Sequence, residues 1–420
     1  MIKYQQWKMT QSFWKGMFIM ALTLSERVLA ISPSVTLAID AQAKKLRQEG
    51  MDVIGFGAGE PDFCTPEYIN DAGKFAIDAG ITRYTPVAGT LDLRERICEK
   101  LHRDNGVEYS PAEIMVSNGA KQVLFTALSA LCNPGDEVLI PTPGWLSYTE
   151  MVKMVGAVPV TVHGDEENNF VVTAEMLRPY VTEKTKALIL NTPSNPNGCV
   201  YSYDELKDIA ALAVECGFYI VSDEIYEKLI YDDAKHYCIA SFGEDIKQQA
   251  IVVNGVSKSY AMTGWRIGYA AGPMEIIKAM TSFQSHASSN ANSIAQYAAA
   301  TALSCGDKYI KSMITEYDVR RKLMHRLLNE IDGVSAKLPK GAFYMMMNIT
   351  ALMGKKYHGQ MINNSTQFAE ILLREKRVAV VPALAFGDDR YVRLSYATSR
   401  ANIVEGMRRI AAFIDELEEY

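Results

Sequence analysis

The sequence predicts an α/β protein in which a large domain, a mostly parallel sheet between helices, is joined to a smaller α+β domain. Three observations carry that expectation. Short apolar runs recur through the middle of the chain at 137–140, 158–162, 187–190, 218–222 and 251–254. Runs of this length, apolar at successive positions, suit strands buried on both faces. Helix-patterned segments alternate with them. One covers 121–131 after an Asn118-Gly119 turn, and another covers 203–216 and is stopped by Gly217. Alternation of strand and helix favours parallel pairing through crossovers. Third, the texture changes after about residue 275. A long helical stretch at 290–331 precedes an extended segment at 342–348, a helix at 366–376, strands at 378–381 and 391–396, and a closing helix at 402–418.

Composition narrows the function class. The chain has 420 residues, 48% hydrophobic and 22% charged, which is ordinary for a globular protein with more than one domain. Its 43 basic and 49 acidic residues give a net charge of −6. A general nucleic-acid-binding protein would carry a basic footprint instead. A small anionic ligand stays possible, because a few local cations can hold one. The seven cysteines are widely spaced and form no CxxC pair, so neither a zinc site nor a disulfide framework is expected. Reduced cysteines suit a cytoplasmic protein. Lys3, Lys8 and Lys15 precede an apolar run at 17–22 that is too short to span a bilayer and has no small-residue cleavage site directly after it. Residues 1–23 are therefore expected to be an N-terminal extension or arm.

Four junctions between a strand and the following loop each deliver a group suited to one cofactor chemistry. Ser257 and Lys258 follow the run at 251–254, with Arg266 eight residues after the lysine in GVSKSYAMTGWR. Such a lysine can make an imine with an aldehyde, while serine and a forked arginine can hold a phosphate. Asp223 ends the run FYIVS inside SDEIY, where a carboxylate can pair with a protonated ring nitrogen. Tyr226 lies three residues further on. Asn195 sits in the turn-rich NTPSNPNG, where its amide can bond a phenolic oxygen. Gly119, Ala120 and Lys121 open a helix, whose first N–H groups form an anion site. Taken singly, each has a plain structural reading: a surface lysine, a helix N-cap, a punctuating turn. A nicotinamide site built on GFGAGEP lacks the required third glycine spacing.

Taken together, these motifs identify the chain as resembling the class I pyridoxal-phosphate-dependent aminotransferases of fold type I. GVSKSYAMTGWR resembles that family's lysine attachment signature, and NTPSNPNG and SDEIY resemble its other hallmarks. AGEPDF, YTPVAG, NGAKQ, MTGWRIGYA, GAFY and VRLSYAT are similar to its bacterial aspartate aminotransferase branch. The likeness runs from about Leu24 to the C-terminus.

The resemblance implies pyridoxal 5′-phosphate as cofactor and assigns roles. Lys258 would form the Schiff base. Asp223 would pair with the pyridine nitrogen, and Tyr226 and Asn195 would bond the phenolic oxygen. Gly119, Ala120, Lys121, Ser257 and Arg266 would surround the phosphate, and Trp145 would stack on the ring. Tyr84 would reach the phosphate of a neighbouring subunit, which implies a homodimer. Arg393 would clamp the substrate α-carboxylate, with Gly59 lining the substrate, and Lys121 would meet the distal carboxylate of acidic substrates. Residues 24–60 and 306–420 would form the small domain and 61–305 the large one.

The implied reaction moves the amino group of L-aspartate to 2-oxoglutarate, giving oxaloacetate and L-glutamate with ping-pong kinetics. An aminotransferase preferring aromatic amino acids or alanine is the alternative. Members that also act on prephenate carry a lysine where this chain has Ser32, before Pro33-Ser34. Prephenate turnover is therefore expected to be weak or absent.

Overall fold

The computed structural model describes residues 24–304, 306 and 308–418. The expected arm at 1–23 lies outside them. Strand β1 (Ile54–Gly55) precedes the seven strands that make the central sheet. These are β2 (Ile114–Ser117), β3 (Glu137–Thr142), β4 (Val158–His163), β5 (Thr185–Asn191), β6 (Tyr219–Asp223), β7 (Ala250–Gly255) and β8 (Gly268–Ala271). Their order is β2-β8-β7-β6-β5-β3-β4. The five runs expected as strands are β3 to β7, and they pair in parallel. β8 is antiparallel to both β7 and β2. β2 therefore points the same way as β3–β7, and the carboxyl ends of β2, β5, β6 and β7 share one edge.

Alternation along the strands sorts side chains into two cores. Leu188, Leu190, Ile220 and Val252 pack on one face of the sheet. Ala187, Ile189, Val221, Ile251 and Val253 pack on the other. Each fully buried Val, Leu or Ile among them contributes roughly 1.5–3 kcal/mol. Helices cover both faces. Helix Tyr203–Cys216 starts at a capping box, in which Ser202 and Glu205 satisfy each other's backbone N–H groups, and ends at Gly217 with φ +75°.

Strands β9 (Ser335–Ala336), β10 (Tyr344–Asn348), β11 (Lys356–Tyr357), β12 (Gln360–Met361), β13 (Val378–Ala379), β14 (Val381–Pro382) and β15 (Tyr391–Ser395) follow. A second, antiparallel sheet has the order β14-β15-β10-β9. β1 pairs with β13, so the N-terminal segment joins the C-terminal one. Ile54 and Phe56 share a core there with Phe343, Leu394 and Phe413.

Two expectations need correction. The helical stretch at 290–331 is two helices, Ser293–Ser304 and Lys308–Leu328, with Gly306 at φ +70° between them. The strand at 378–381 is two strands, because β13 pairs with β1 while β14 pairs with β15.

Candidate active site

The shared carboxyl edge of the central sheet faces the small domain across a cavity of about 240 Å³. Clefts at strand carboxyl ends are where α/β sheets collect ligands. Lys258, Asp223, Tyr226, Asn195, Ser257, Arg266, Ala120, Lys121, Trp145, Gly59 and Arg393 all line it. Gly119 lies immediately behind: its φ is +87°, and a Cβ there would collide with the Arg266 guanidinium. Tyr84 is not among the lining residues and is 92% exposed.

Asp223 is the last residue of β6 and is buried. Its Oδ1 accepts the Ile225 N–H at 3.2 Å, and its Oδ2 accepts the Tyr148 hydroxyl at 2.8 Å. Burial pushes its carboxyl up to about 6, against the pull of those two donors and of Lys258. A buried carboxylate of this kind is stabilised by a cation placed in the cavity. The Lys258 side chain comes in from the loop after β7, and its Nζ donates to the Gly59 carbonyl. Burial lowers the Lys258 amine to about 8, opposed by Glu60 and reinforced by Arg266 and Arg393. This brings a neutral amine within reach at ordinary pH.

At the end of the cavity below β2, helix Ala120–Leu131 begins at Gly119. The N–H groups of its first turn point out of the helix, as an anion site requires. The Arg266 guanidinium closes over this turn, donating to the Asn118 carbonyl at 3.2 Å and the Thr263 carbonyl at 3.0 Å. Trp145 lies at the start of helix Ser147–Met154, with the Lys121 ammonium 4.6 Å from its ring centroid. Lys121 has its pKa lowered by desolvation and by Arg266.

On the small-domain side, Arg393 of β15 is buried. Nη1 donates to Asn195 Oδ1 at 3.0 Å and Nη2 to the Gly57 carbonyl at 2.8 Å. Its guanidinium carbon lies 4.4 Å from the ring centroid of Tyr344 and 5.2 Å from that of Phe386. Tyr344 comes from β10, and its hydroxyl is 3.0 Å from that of Tyr226. Arg320 grips Asp62 through both carboxylate oxygens, at 2.9 and 2.8 Å, which fixes the 59–63 loop against helix Lys308–Leu328.

Sequence reasoning missed several lining residues: Tyr148, Tyr344, Asn191, Thr263, and Ser34, Thr36 and Leu37 from the N-terminal segment. Tyr148 was accessible in principle. It stands three residues after Trp145, and the two rings meet edge-on where helix Ser147–Met154 begins. Asn191 was not, because its importance is tertiary: Nδ2 donates to the Asp223 carbonyl at 2.9 Å and Oδ1 accepts the Asn195 N–H at 2.9 Å.

The residues present fit pyridoxal phosphate. An amine for its aldehyde, a buried carboxylate for its ring nitrogen, hydroxyl and amide groups for its phenolic oxygen, and a helix N-terminus with an arginine for its phosphate converge on one cavity. Fold and site together offer what an aldehyde cofactor would need, with the Lys258 amine in the same cavity as the other groups.

Residues 51–410 match the family described as aminotransferase class I and II. The chain is 47% identical to the aspartate aminotransferase of Bacillus sp. (strain YM-2), covering 93% of this chain and 99% of that one. It is 45% identical to the probable aspartate/prephenate aminotransferase of Aquifex aeolicus, over 94% of this chain and 99% of that one. Among solved structures, the aspartate aminotransferase of Rhizobium meliloti superposes with a TM-score of 0.91 at 42% identity, covering 95% of this chain and 100% of that one. The chain belongs to the class I and II aminotransferases. It is a pyridoxal-phosphate-dependent enzyme of fold type I.

Proposed function

We propose that this aminotransferase takes L-aspartate as amino donor and 2-oxoglutarate as acceptor. The observation that carries the reading is a further cation, Lys121, lining the same cavity as Lys258, Arg266 and Arg393. Arg393 would grip the α-carboxylate that all amino acids share. Lys121 would meet a side-chain carboxylate, which only acidic substrates offer. The names of the relatives agree with this preference.

Lys258 would hold the cofactor, Asp223 its ring nitrogen, and Tyr226 and Asn195 its phenolic oxygen. Because Asn195 Oδ1 is committed to Arg393, its Nδ2 is the group that would donate into the cavity. Ser257, Arg266 and the N–H groups of Gly119, Ala120 and Lys121 would hold the phosphate, and Trp145 would cover the ring. When bound, the cofactor supplies an electron sink for the charge left at the substrate Cα. The Lys258 amine, kept near neutral by burial, takes and holds the Cα proton at Nζ. Arg393, fixed by Asn195 and Gly57 and close to two aromatic rings, would orient the substrate.

The same reading makes the enzyme a cytoplasmic homodimer in which Tyr84 completes the neighbouring site. Its near-complete exposure supports that role. Two observations support the cytoplasm: the described cysteines Cys64, Cys98, Cys132, Cys199, Cys216 and Cys238 are unpaired, and no described helix is long and apolar enough to cross a membrane. Pairing of β1 with β13 supports a small domain built from 24–60 and 306–420 around a large domain at 61–305. Ser32, whose backbone N–H donates to Glu150 at 3.0 Å, brings no cation, so prephenate should be a poor acceptor despite relatives named for it.

A donor panel with 2-oxoglutarate tests the assignment. Aspartate should outrun alanine and phenylalanine; a faster reaction with either would overturn the substrate. Comparable rates on prephenate and oxaloacetate would overturn the Ser32 argument.

A further inference from the structure

Tyr148 lies in a buried apolar cluster with Ile140, Met151, Val152 and Ile189, and its own residue is 3% exposed. A phenol placed there needs a partner. Its partner is Asp223 Oδ2, at 2.8 Å. The Asp223 carboxylate is thus held at two points, by Tyr148 on one oxygen and by the Ile225 N–H on the other at 3.2 Å. Both Tyr148 and Asp223 line the cavity. Trp145 meets the Tyr148 ring edge-on, with centroids 5.2 Å apart and planes at 88°. The residues leading into one short helix therefore offer Trp145 to the cavity, and the helix itself braces the carboxylate with Tyr148.

We propose that Tyr148 is a positioning residue for the cofactor's ring nitrogen: its hydroxyl fixes the Asp223 carboxylate and favours its ionised form. The inference rests on the assignment of Asp223 to that nitrogen. A hydrogen bond donated to a carboxylate stabilises the charged form, and the charged form is what a ring cation needs opposite it. Burial holds the phenol's own pKa well above its ordinary value. Tyr148 therefore stays a neutral donor across the working range and adds no charge of its own. The two residues act in series: Tyr148 touches Asp223 and Asp223 touches the nitrogen.

The test compares two ligands on the apoprotein, read by fluorescence titration and independent of turnover. One is pyridoxal 5′-phosphate. The other is its 1-deaza analogue, which has a C–H in place of the ring nitrogen and keeps the aldehyde, phenol and phosphate. Wild type should bind the natural cofactor more tightly. Tyr148→Phe keeps the ring and its packing and removes the hydroxyl. It should weaken pyridoxal phosphate by about tenfold or more, the loss expected for one hydrogen bond to a charged group. Affinity for the deaza analogue should stay the same. In an Asp223→Asn background, Tyr148→Phe should have little further effect on either ligand.

Equal weakening of both ligands overturns the proposal, since it would mean that Tyr148 only supports the fold. Unchanged discrimination in Tyr148→Phe also overturns it. If wild type itself fails to discriminate, the assignment of Asp223 to the ring nitrogen falls, and the role of Tyr148 falls with it.

Discussion

Replacing Lys121 by Met probes substrate choice. Met keeps much of the side chain's length and its contact with Trp145, and removes the charge. Two unit charges 4 Å apart attract by about 1 kcal/mol in water and about 4 kcal/mol at an effective dielectric of 20. Lys121 lies between these limits, because the residue is exposed while its ammonium sits over the Trp145 ring at the cavity wall. A value near 2 kcal/mol corresponds to roughly thirtyfold in kcat/KM. The variant should lose about that much with aspartate and almost nothing with alanine, which offers no second carboxylate. 2-Oxoglutarate has a distal carboxylate too, so the donor half-reaction should be followed alone, by stopped-flow absorbance without acceptor. The preference for aspartate should also fade on the alkaline side earlier than for an ordinary lysine, because desolvation and Arg266 lower the Lys121 pKa and the cation is lost as pH rises through it. Equal losses for aspartate and alanine would refute the reasoning and leave Lys121 a phosphate or packing residue.

Other substitutions test separate parts. Asp223→Asn should stabilise the apoprotein while weakening cofactor binding. The carboxyl is raised from 3.8 to about 6 by burial, so apoprotein stability falls as pH rises from about 4 to 6, by about 3 kcal/mol in all. Denaturant midpoints of variant and wild type should therefore agree near pH 4 and diverge by pH 7. Lys100→Met breaks a buried ion pair with Glu227 and should cost about 3–5 kcal/mol in urea unfolding, with partial recovery on adding Glu227→Gln. Gly119→Ala puts a Cβ at φ +87° against Arg266 and should raise the dissociation constant for pyridoxal phosphate, read by equilibrium dialysis.

The central sheet was legible because β3, β5, β6 and β7 each contain a run of consecutive buried apolar residues, the mark of strands covered on both faces. β2 and β8 were harder to read. IMVS and GYAA are four residues each, and β8 begins two residues after the attachment motif ends, with glycine and two alanines among its four residues. The break at Gly306 was hidden by helix-forming residues on both sides. The split of 378–381 follows from two different partners, β1 and β15, that no local pattern announces. Lys258, Asp223, Asn195 and the Gly119 turn were legible because each sits where a strand ends, and strand ends are what a parallel sheet gathers. Tyr344 and Asn191 act through groups more than a hundred and about thirty residues away, on Tyr226 and Asp223. Their roles appear only once β10 and β5 are placed.

Borohydride reduction of the holoenzyme, followed by proteolysis and peptide mass spectrometry, asks whether Lys258 carries the cofactor. One phosphopyridoxyl group is expected, on the peptide containing Lys258, and it should disappear in Lys258→Ala. A reduced adduct on another lysine, or none in a protein shown to contain the cofactor, would contradict that role for Lys258.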